Sequence, residues 1–329
     1  MRDCRTKILS SPVPGSRFLV LGSWFAFRRP SSIVYYVLCS LFFTSLNRML
    51  ITGGSGYLGA ELVRRALAAQ TWDITATYHA HPVEWPGMRF VPLDLGDETA
   101  VQRLVAAVQP DVVVHTAYVQ TGPRLWDVTA LGAGRVAEVA RAVGARLIHM
   151  SSDALFDGER VGAYTENDPP GPVTPYGEAK AEAERLVAQA HPDALLVRTS
   201  LIYGGHAPSD HEQLVLDVLQ GKNDLAFFYD EMRCPVQVTD LADAVLELAL
   251  LDCSGVLNVA GADVVSRYEF ARLIAAAHGR SPDALRSASS ATSGMRRPRN
   301  CALDSSVAQQ LLHTLLRGVR AVLAPAGHN

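Results

Sequence analysis

The sequence predicts an α/β protein, a doubly wound parallel sheet with a smaller lobe toward its C-terminus. Two observations come first: from Met49 onward short apolar runs alternate with longer amphipathic stretches, and a glycine-rich turn joins the first run to the first stretch. A third is that the alternation changes after Tyr203, where helical periodicity dominates.

The expected buried strands are 49–52, 73–78, 89–92, 112–116, 146–150 and 195–199, each short and apolar, several bounded by Pro, Gly or Asp. Helical stretches 60–70, 99–108 and 132–143 fall between them, and helices 240–251 and 268–278 with a late strand at 256–260 form the smaller lobe. The Ser- and Arg-rich stretch 287–299 is expected to be a loop. Residues 49–204 are thus expected to be mainly the doubly wound, nucleotide-binding unit, and 205–329 mainly the smaller lobe, where a substrate is expected to bind.

Residues 1–48 are set apart as a non-core extension. Arg2, Arg5, Lys7, Arg17, Arg28 and Arg29 precede an apolar run from Ile33 to Leu46, shorter than the ~20 residues of a spanning helix. Two readings stand: a targeting or anchoring segment, or a start placed upstream of a natural one at Met49, directly before Leu50-Ile51-Thr52-Gly53. A chain of 329 residues, 48% of them hydrophobic, buries a sizeable core. A net charge of −3 with no long basic run argues against a nucleic-acid partner. Cys4, Cys39, Cys234, Cys253 and Cys301 are scattered without a CxxC pair, as reduced thiols of a cytoplasmic protein are. The histidines form no ligand motif, so no metal site is expected, and His115 and His149 read as satisfied core histidines. No membrane partner is expected, and a homodimer is the default assembly.

Thr52-Gly53-Gly54-Ser55-Gly56-Tyr57-Leu58-Gly59 carries both GxxGxxG and GxGxxG between a strand and a helix. Glycines there permit a tight turn, bring backbone N–H groups against a pyrophosphate and let the helix pack close to the sheet, which makes the sheet Rossmann-type. In Leu93-Asp94-Leu95-Gly96-Asp97, Asp97 fits a helix N-cap, leaving Asp94 free to accept from an adenine amino group. The second strand ends in Tyr78-His79-Ala80-His81 with no acid before Glu84, so nothing there repels a 2′-phosphate; NADP is favoured, with NAD allowed.

Tyr176-Gly177-Glu178-Ala179-Lys180 sets a phenol and an ammonium on one face of a helix over 176–190. Lysine beside tyrosine is expected to lower the phenol's pKa for proton transfer to or from a substrate oxygen. Ser152, at the end of the fifth strand in Ser151-Ser152-Asp153, is the candidate to polarise a substrate carbonyl, and turn-capping is the competing role, more so for Ser151.

On these motifs the chain resembles extended short-chain dehydrogenases/reductases, and within them the dTDP-4-dehydrorhamnose reductase group. Val114 to Tyr118, Ser151 to Gly158, Arg198 to Gly204 and Arg297 to Asp304 extend the likeness. The resemblance implies NAD(P)H-dependent reduction of a 4-keto group on a nucleotide-activated deoxysugar, with Ser152, Tyr176 and Lys180 catalytic. It implies cofactor contacts at Gly53, Gly56, Tyr57, Leu58, Gly59, Asp94, Leu95, Ala117, Tyr176 and Lys180, and substrate contacts at Asp153. Arg233 stands where such reductases have glycine and is a candidate for a substrate phosphate, a structural ion pair being the alternative. Ala154 and Thr129 replace a Tyr and an Asn common in the group. Rival readings are an epimerase or another carbonyl reductase of the same fold, and a non-catalytic NADP-binding regulatory subunit.

Overall fold

The structure, a computed structural model, describes residues 46–80, 85, 86, 88–294 and 296–324. The apolar run before Leu46, Cys4, Cys39, His81 and Glu84 lie outside the described residues.

The main sheet is built from β1 (Asn47–Thr52), β2 (Trp72–Tyr78), β3 (Arg89–Pro92), β4 (Val112–His115), β5 (Arg146–Ser152), β6 (Leu195–Thr199) and a late strand β7 (Gly255–Asn258). Their order is β7-β6-β5-β4-β1-β2-β3, and every pairing is parallel. The order reverses between β1 and β4, so the crevice for a ligand opens at the carboxyl ends of those two strands. β1 starts two residues earlier than expected: Asn47 and Arg48 pair with Trp72 and Asp73, and the Arg48 N–H donates to Asp111 at 2.7 Å. β5 runs on through Ser152 rather than stopping at Met150.

Alternation along the strands sends side chains to both faces. Met49, Ile51, Val112, Val114, Ile148, Met150, Leu195 and Val197 enter one core, and Leu50, Val113, Leu147 and Leu196 the other. The first core is closed by Leu58, Leu62, Val63 and Ala66 of α1 (Tyr57–Ala69). Val101, Leu104, Val105 and Val108 of α2 (Glu98–Val108) help close the second, with Asp97 as N-cap accepting from the Ala100 N–H at 3.0 Å. A π-turn over Trp126–Leu131 leads into α3 (Gly132–Ala142). α4 (Pro175–Ala190) starts with Thr174 as N-cap and Pro175 in its first turn, a strong start signal, and buries Ala179, Ala183 and Val187.

After β6 the chain serves both lobes. α5 (Asp210–Leu219) and α7 (Arg267–Ala277) enclose a separate core of Tyr203, Val215, Phe227, Val265, Phe270 and Ile274. Between them α6 (Val238–Leu248) and β7 return to the main sheet, and Leu241, Val245 and Leu248 join its first core. The stretch 287–299 is not all loop: Ser287–Ala288 pairs with Phe227–Phe228, and a 3₁₀ turn covers Ser290–Thr292. Among the described residues no helix is long and apolar enough to cross a membrane.

One buried polar network ties α4 to the sheet. Glu184 on α4 accepts from Arg198 on β6 at 3.0 and 2.8 Å and from the Ser151 hydroxyl on β5 at 2.6 Å. Arg198 and Glu184 are both buried. Glu184→Ala leaves a buried guanidinium unpaired, so chemical denaturation is expected to show a loss of about 3–5 kcal/mol, whereas the double change with Arg198→Met should cost less than the single one.

Candidate active site

The glycine turn is shaped for close approach. Gly53 lies at φ 71°, in the left-handed region, and a Cβ there would come within 2.8 Å of the Ala117 backbone at the end of β4. A Cβ on Gly59 would collide with the Gly53 carbonyl oxygen. These two positions bring α1, the turn and the β4 loop into one cradle. The Ala60 N–H makes an intrahelical bond, to Gly56 O at 2.8 Å, and α1 carries no acid in its first turn. The amides of Tyr57, Leu58 and Gly59 precede the first intrahelical bond and have no carboxylate beside them in that turn, which fits a cofactor pyrophosphate.

Tyr57 does more than border the turn. Its hydroxyl accepts from the Gly205 N–H at 2.7 Å and donates to the Ala207 carbonyl at 3.2 Å, linking the turn to the C-terminal lobe, and burial pushes its pKa up to about 12. Leu58 and Leu95 are buried in the cores, so only their backbones face the crevice.

At the carboxyl end of β5 the expected catalytic residues come together. Ser152 accepts from the Ala154 N–H at 3.2 Å, capping a 3₁₀ turn over Asp153–Leu155. The capping role expected more for Ser151 thus falls to Ser152, while Ser151 is spent on Glu184. Gly177 permits the contact between this turn and α4, since a Cβ there would strike the Ala154 carbonyl. That packing carries Tyr176 to Ser152, whose hydroxyl is a hydrogen-bond neighbour of the phenol. One helical turn on, buried Lys180 donates to the Met150 carbonyl at 2.9 Å.

The electrostatics correct the expectation for Tyr176. Its pKa is raised, chiefly by burial and then by Tyr118, with Ser152 pulling it down and Asp153 adding to the rise. The Lys180 ammonium donates to the Met150 carbonyl and lies 5.0 Å from the centroid of the Tyr118 ring. Burial instead lowers Lys180 itself to about 8, opposed by Glu184.

Several other expectations need revision. Asp94 is engaged: it pairs with Arg124, accepts from the Gly96 N–H at 2.8 Å and lies 3.8 Å from His79. Asp153 is buried, accepts from the Ser200 hydroxyl at 2.7 Å and faces Arg233 at 3.8 Å. Arg233 donates to the carbonyls of Met232, Pro298 and Arg299 at 2.7, 3.0 and 3.1 Å, the structural alternative for this residue. His115 and His149 are core residues but not satisfied ones. They stack at 5.2 Å, the Thr52 hydroxyl is 2.6 Å from His115 Nδ1, and His115 Nε2 and both nitrogens of His149 have no partner among the described residues. Burial holds His115 down to about 3 and lowers His149 well below its ordinary value.

Sequence reasoning passed over four residues that the fold brings to the site. Tyr118 lies 5.8 Å from Tyr176, ring to ring, and Glu184 continues the face of α4 that carries Tyr176 and Lys180. The helical spacing of Glu184 was a readable signal. Arg267 and His211 approach from the other lobe, where burial and Arg267 lower His211 to about 3, and no local pattern marks them. Thr129, noted only as a departure, accepts from the Val119 N–H and donates to its carbonyl at 2.9 and 2.7 Å, fastening the loop after β4.

Comparison with known proteins places this geometry among relatives. The dTDP-4-dehydrorhamnose reductase of Mycobacterium tuberculosis is 32% identical over 294 residues, 85% of this chain and 92% of the relative. Methionine adenosyltransferase 2 subunit beta of Rattus norvegicus is 32% identical over 283 residues, covering 80% and 82% respectively. The crystal structure of dTDP-4-dehydrorhamnose reductase from Bacillus anthracis in complex with NADP superposes with a TM-score of 0.72 at 24% identity, covering 84% of this chain and 97% of that one, a likeness of fold. The family model described as the RmlD substrate binding domain matches residues 47–326, well over half of the chain, and this protein belongs to that family.

Proposed function

We propose that the protein is an NAD(P)-dependent oxidoreductase that reduces the 4-keto group of a nucleotide-activated deoxysugar, as its reductase relatives are named for doing. The observation that carries this reading is the convergence of Ser152, Tyr176 and Lys180 at the carboxyl edge of the sheet, beside the glycine cradle.

NADPH, when bound, supplies the hydride. The chain's residues do the rest. The Ser152 hydroxyl donates to the keto oxygen and the Tyr176 phenol gives its proton to that oxygen as the C=O π bond breaks, leaving an alcohol and a phenolate that regains a proton from solvent. A phenol whose pKa is raised holds its proton until the alkoxide forms, which suits the reducing direction. Lys180, as an ammonium held by the Met150 carbonyl, would hold the nicotinamide ribose. NADP is favoured because β2 ends without an acid at His79, while Arg124 both neutralises Asp94 and lies 3.2 Å from His79. The related fold from Bacillus anthracis was solved with NADP. A reduced, cytoplasmic setting accords with the buried thiols of Cys234 and Cys301, neither of which is in a disulfide.

A regulatory, non-catalytic role has one observation in its favour, the relative named as a subunit of methionine adenosyltransferase. The complete Ser152, Tyr176 and Lys180 set favours the enzyme. The full chain is expected to oxidise NADPH with dTDP-4-keto-6-deoxyhexose, and Tyr176→Phe to turn over about a hundredfold or more slowly. Cofactor binding without turnover in the unmodified protein would refute the reductase reading.

Lys180 sets a pH dependence. With its pKa lowered from 10.5 to about 8, it loses its ammonium charge above that pH, so kcat/KM should fall as pH rises through 8. Lys180→Arg, slower throughout, should lack that fall because guanidinium does not titrate there. Stability runs the other way. The unfolded chain binds the proton that the folded one has lost between about 8 and 10.5, so unfolding becomes harder across that window.

A further inference from the structure

Three arginines converge on two buried carboxylates, and only two of the three are accounted for. Glu231 is wholly buried and takes Arg297 on both oxygens, at 2.5 and 3.2 Å. Arg233 gives its donors to three backbone carbonyls and faces Asp153 at 3.8 Å and Glu231 at 4.0 Å. The third is Arg267 at the start of α7, held in place by its backbone N–H, which donates to the Glu231 carbonyl at 2.9 Å.

The Arg267 guanidinium makes no hydrogen bond and no ion pair with any described residue, although it is mostly withdrawn from solvent. Burial, then Arg233, bring its pKa down to about 10. His211 beside it is held neutral and offers no negative charge. The cluster therefore carries three positive groups against two negative ones, a deficit that costs free energy in a low-dielectric setting unless an anion meets it. Its edge is the catalytic edge, since Asp153 follows Ser152 directly and accepts a hydrogen bond from it at 3.4 Å.

We propose that Arg267 is the anion-receiving, specificity-determining residue of the substrate site, taking a phosphoryl or carboxylate oxygen of the substrate while Arg233 and Arg297 hold the pocket's shape. The inference rests on the reading of the site as one for a nucleotide-linked sugar. The anion is carried either on the linking diphosphate or on the sugar itself.

Calorimetric titration of the full chain with dTDP, UDP-glucose and UDP-glucuronate tests it, with NADPH affinity as the check on folding. Arg267→Gln is expected to bind dTDP about tenfold to a hundredfold more weakly, the range of a charge-assisted hydrogen bond, with NADPH affinity unchanged and Arg267→Lys restoring part of the loss. Should dTDP bind unchanged while a wild-type preference for UDP-glucuronate over UDP-glucose vanishes in Arg267→Gln, the anion is the sugar's and the inference stands. Affinities unaltered for all three ligands, or no binding of any by the unmodified protein, would overturn it. Arg267-dependent binding without turnover would sink the reductase reading alone, and turnover with binding indifferent to Arg267 would sink this inference alone.

Discussion

Everything at the site depends on how α4 is pressed against β5 and β6. Glu184 is the fastening, because one buried carboxylate satisfies the Arg198 guanidinium and the Ser151 hydroxyl together. Small residues let the helix come close: Ala179 and Ala183 are fully buried, and at Gly177 only a missing Cβ allows the Ala154 carbonyl its place. Without that approach Tyr176 would stand away from Ser152 and Lys180 could not reach Met150. The network is costly to break and is not the cheapest way to stabilise a core, since a well-packed apolar pair is often as stable. What it provides is a single register for the helix on which the chemistry depends.

The second constraint is the glycine turn. Gly53 and Gly59 remove the two side chains that would keep the β4 loop and the turn's own carbonyl apart from α1. The same turn is tied to the C-terminal lobe through Tyr57, whose hydroxyl meets Gly205 and Ala207. The turn and the C-terminal lobe are thereby joined by direct hydrogen bonds. The geometry links them through a partly buried phenol that, at about 12, keeps its proton at any physiological pH.

Charge is distributed with a purpose that differs between the two ends of the crevice. Beyond β3, Arg124 and Asp94 neutralise each other. Next to Ser152, Arg233, Arg267 and Arg297 outnumber Asp153 and Glu231. Between them lie the raised phenol of Tyr176 and the lowered ammonium of Lys180, both moved mainly by burial. Burial of ionisable groups on this scale gathers where a site uses them.

Local pattern sufficed for much of the protein. The apolar runs located six strands of the parallel sheet, Thr52 to Gly59 marked the cradle, and Tyr176 with Lys180 lay on one helical face, because each depends on spacing along a single element. Asp97 as a helix cap was legible for the same reason. Tertiary structure alone decided what each side chain meets. Asp94 looked free until Arg124 reached it from another loop, and Arg233 stood open between a phosphate ligand and a structural ion pair until the carbonyls of Pro298 and Arg299 took its donors. The lysine expected to lower the phenol's pKa is drawn away to a strand carbonyl. Arg267 carried no signal at all, since a guanidinium without a partner is recognisable only when every neighbour is in place. Periodicity reports which face a residue occupies, whereas hydrogen-bond partners and pKa shifts depend on distances across the fold that no local spacing encodes.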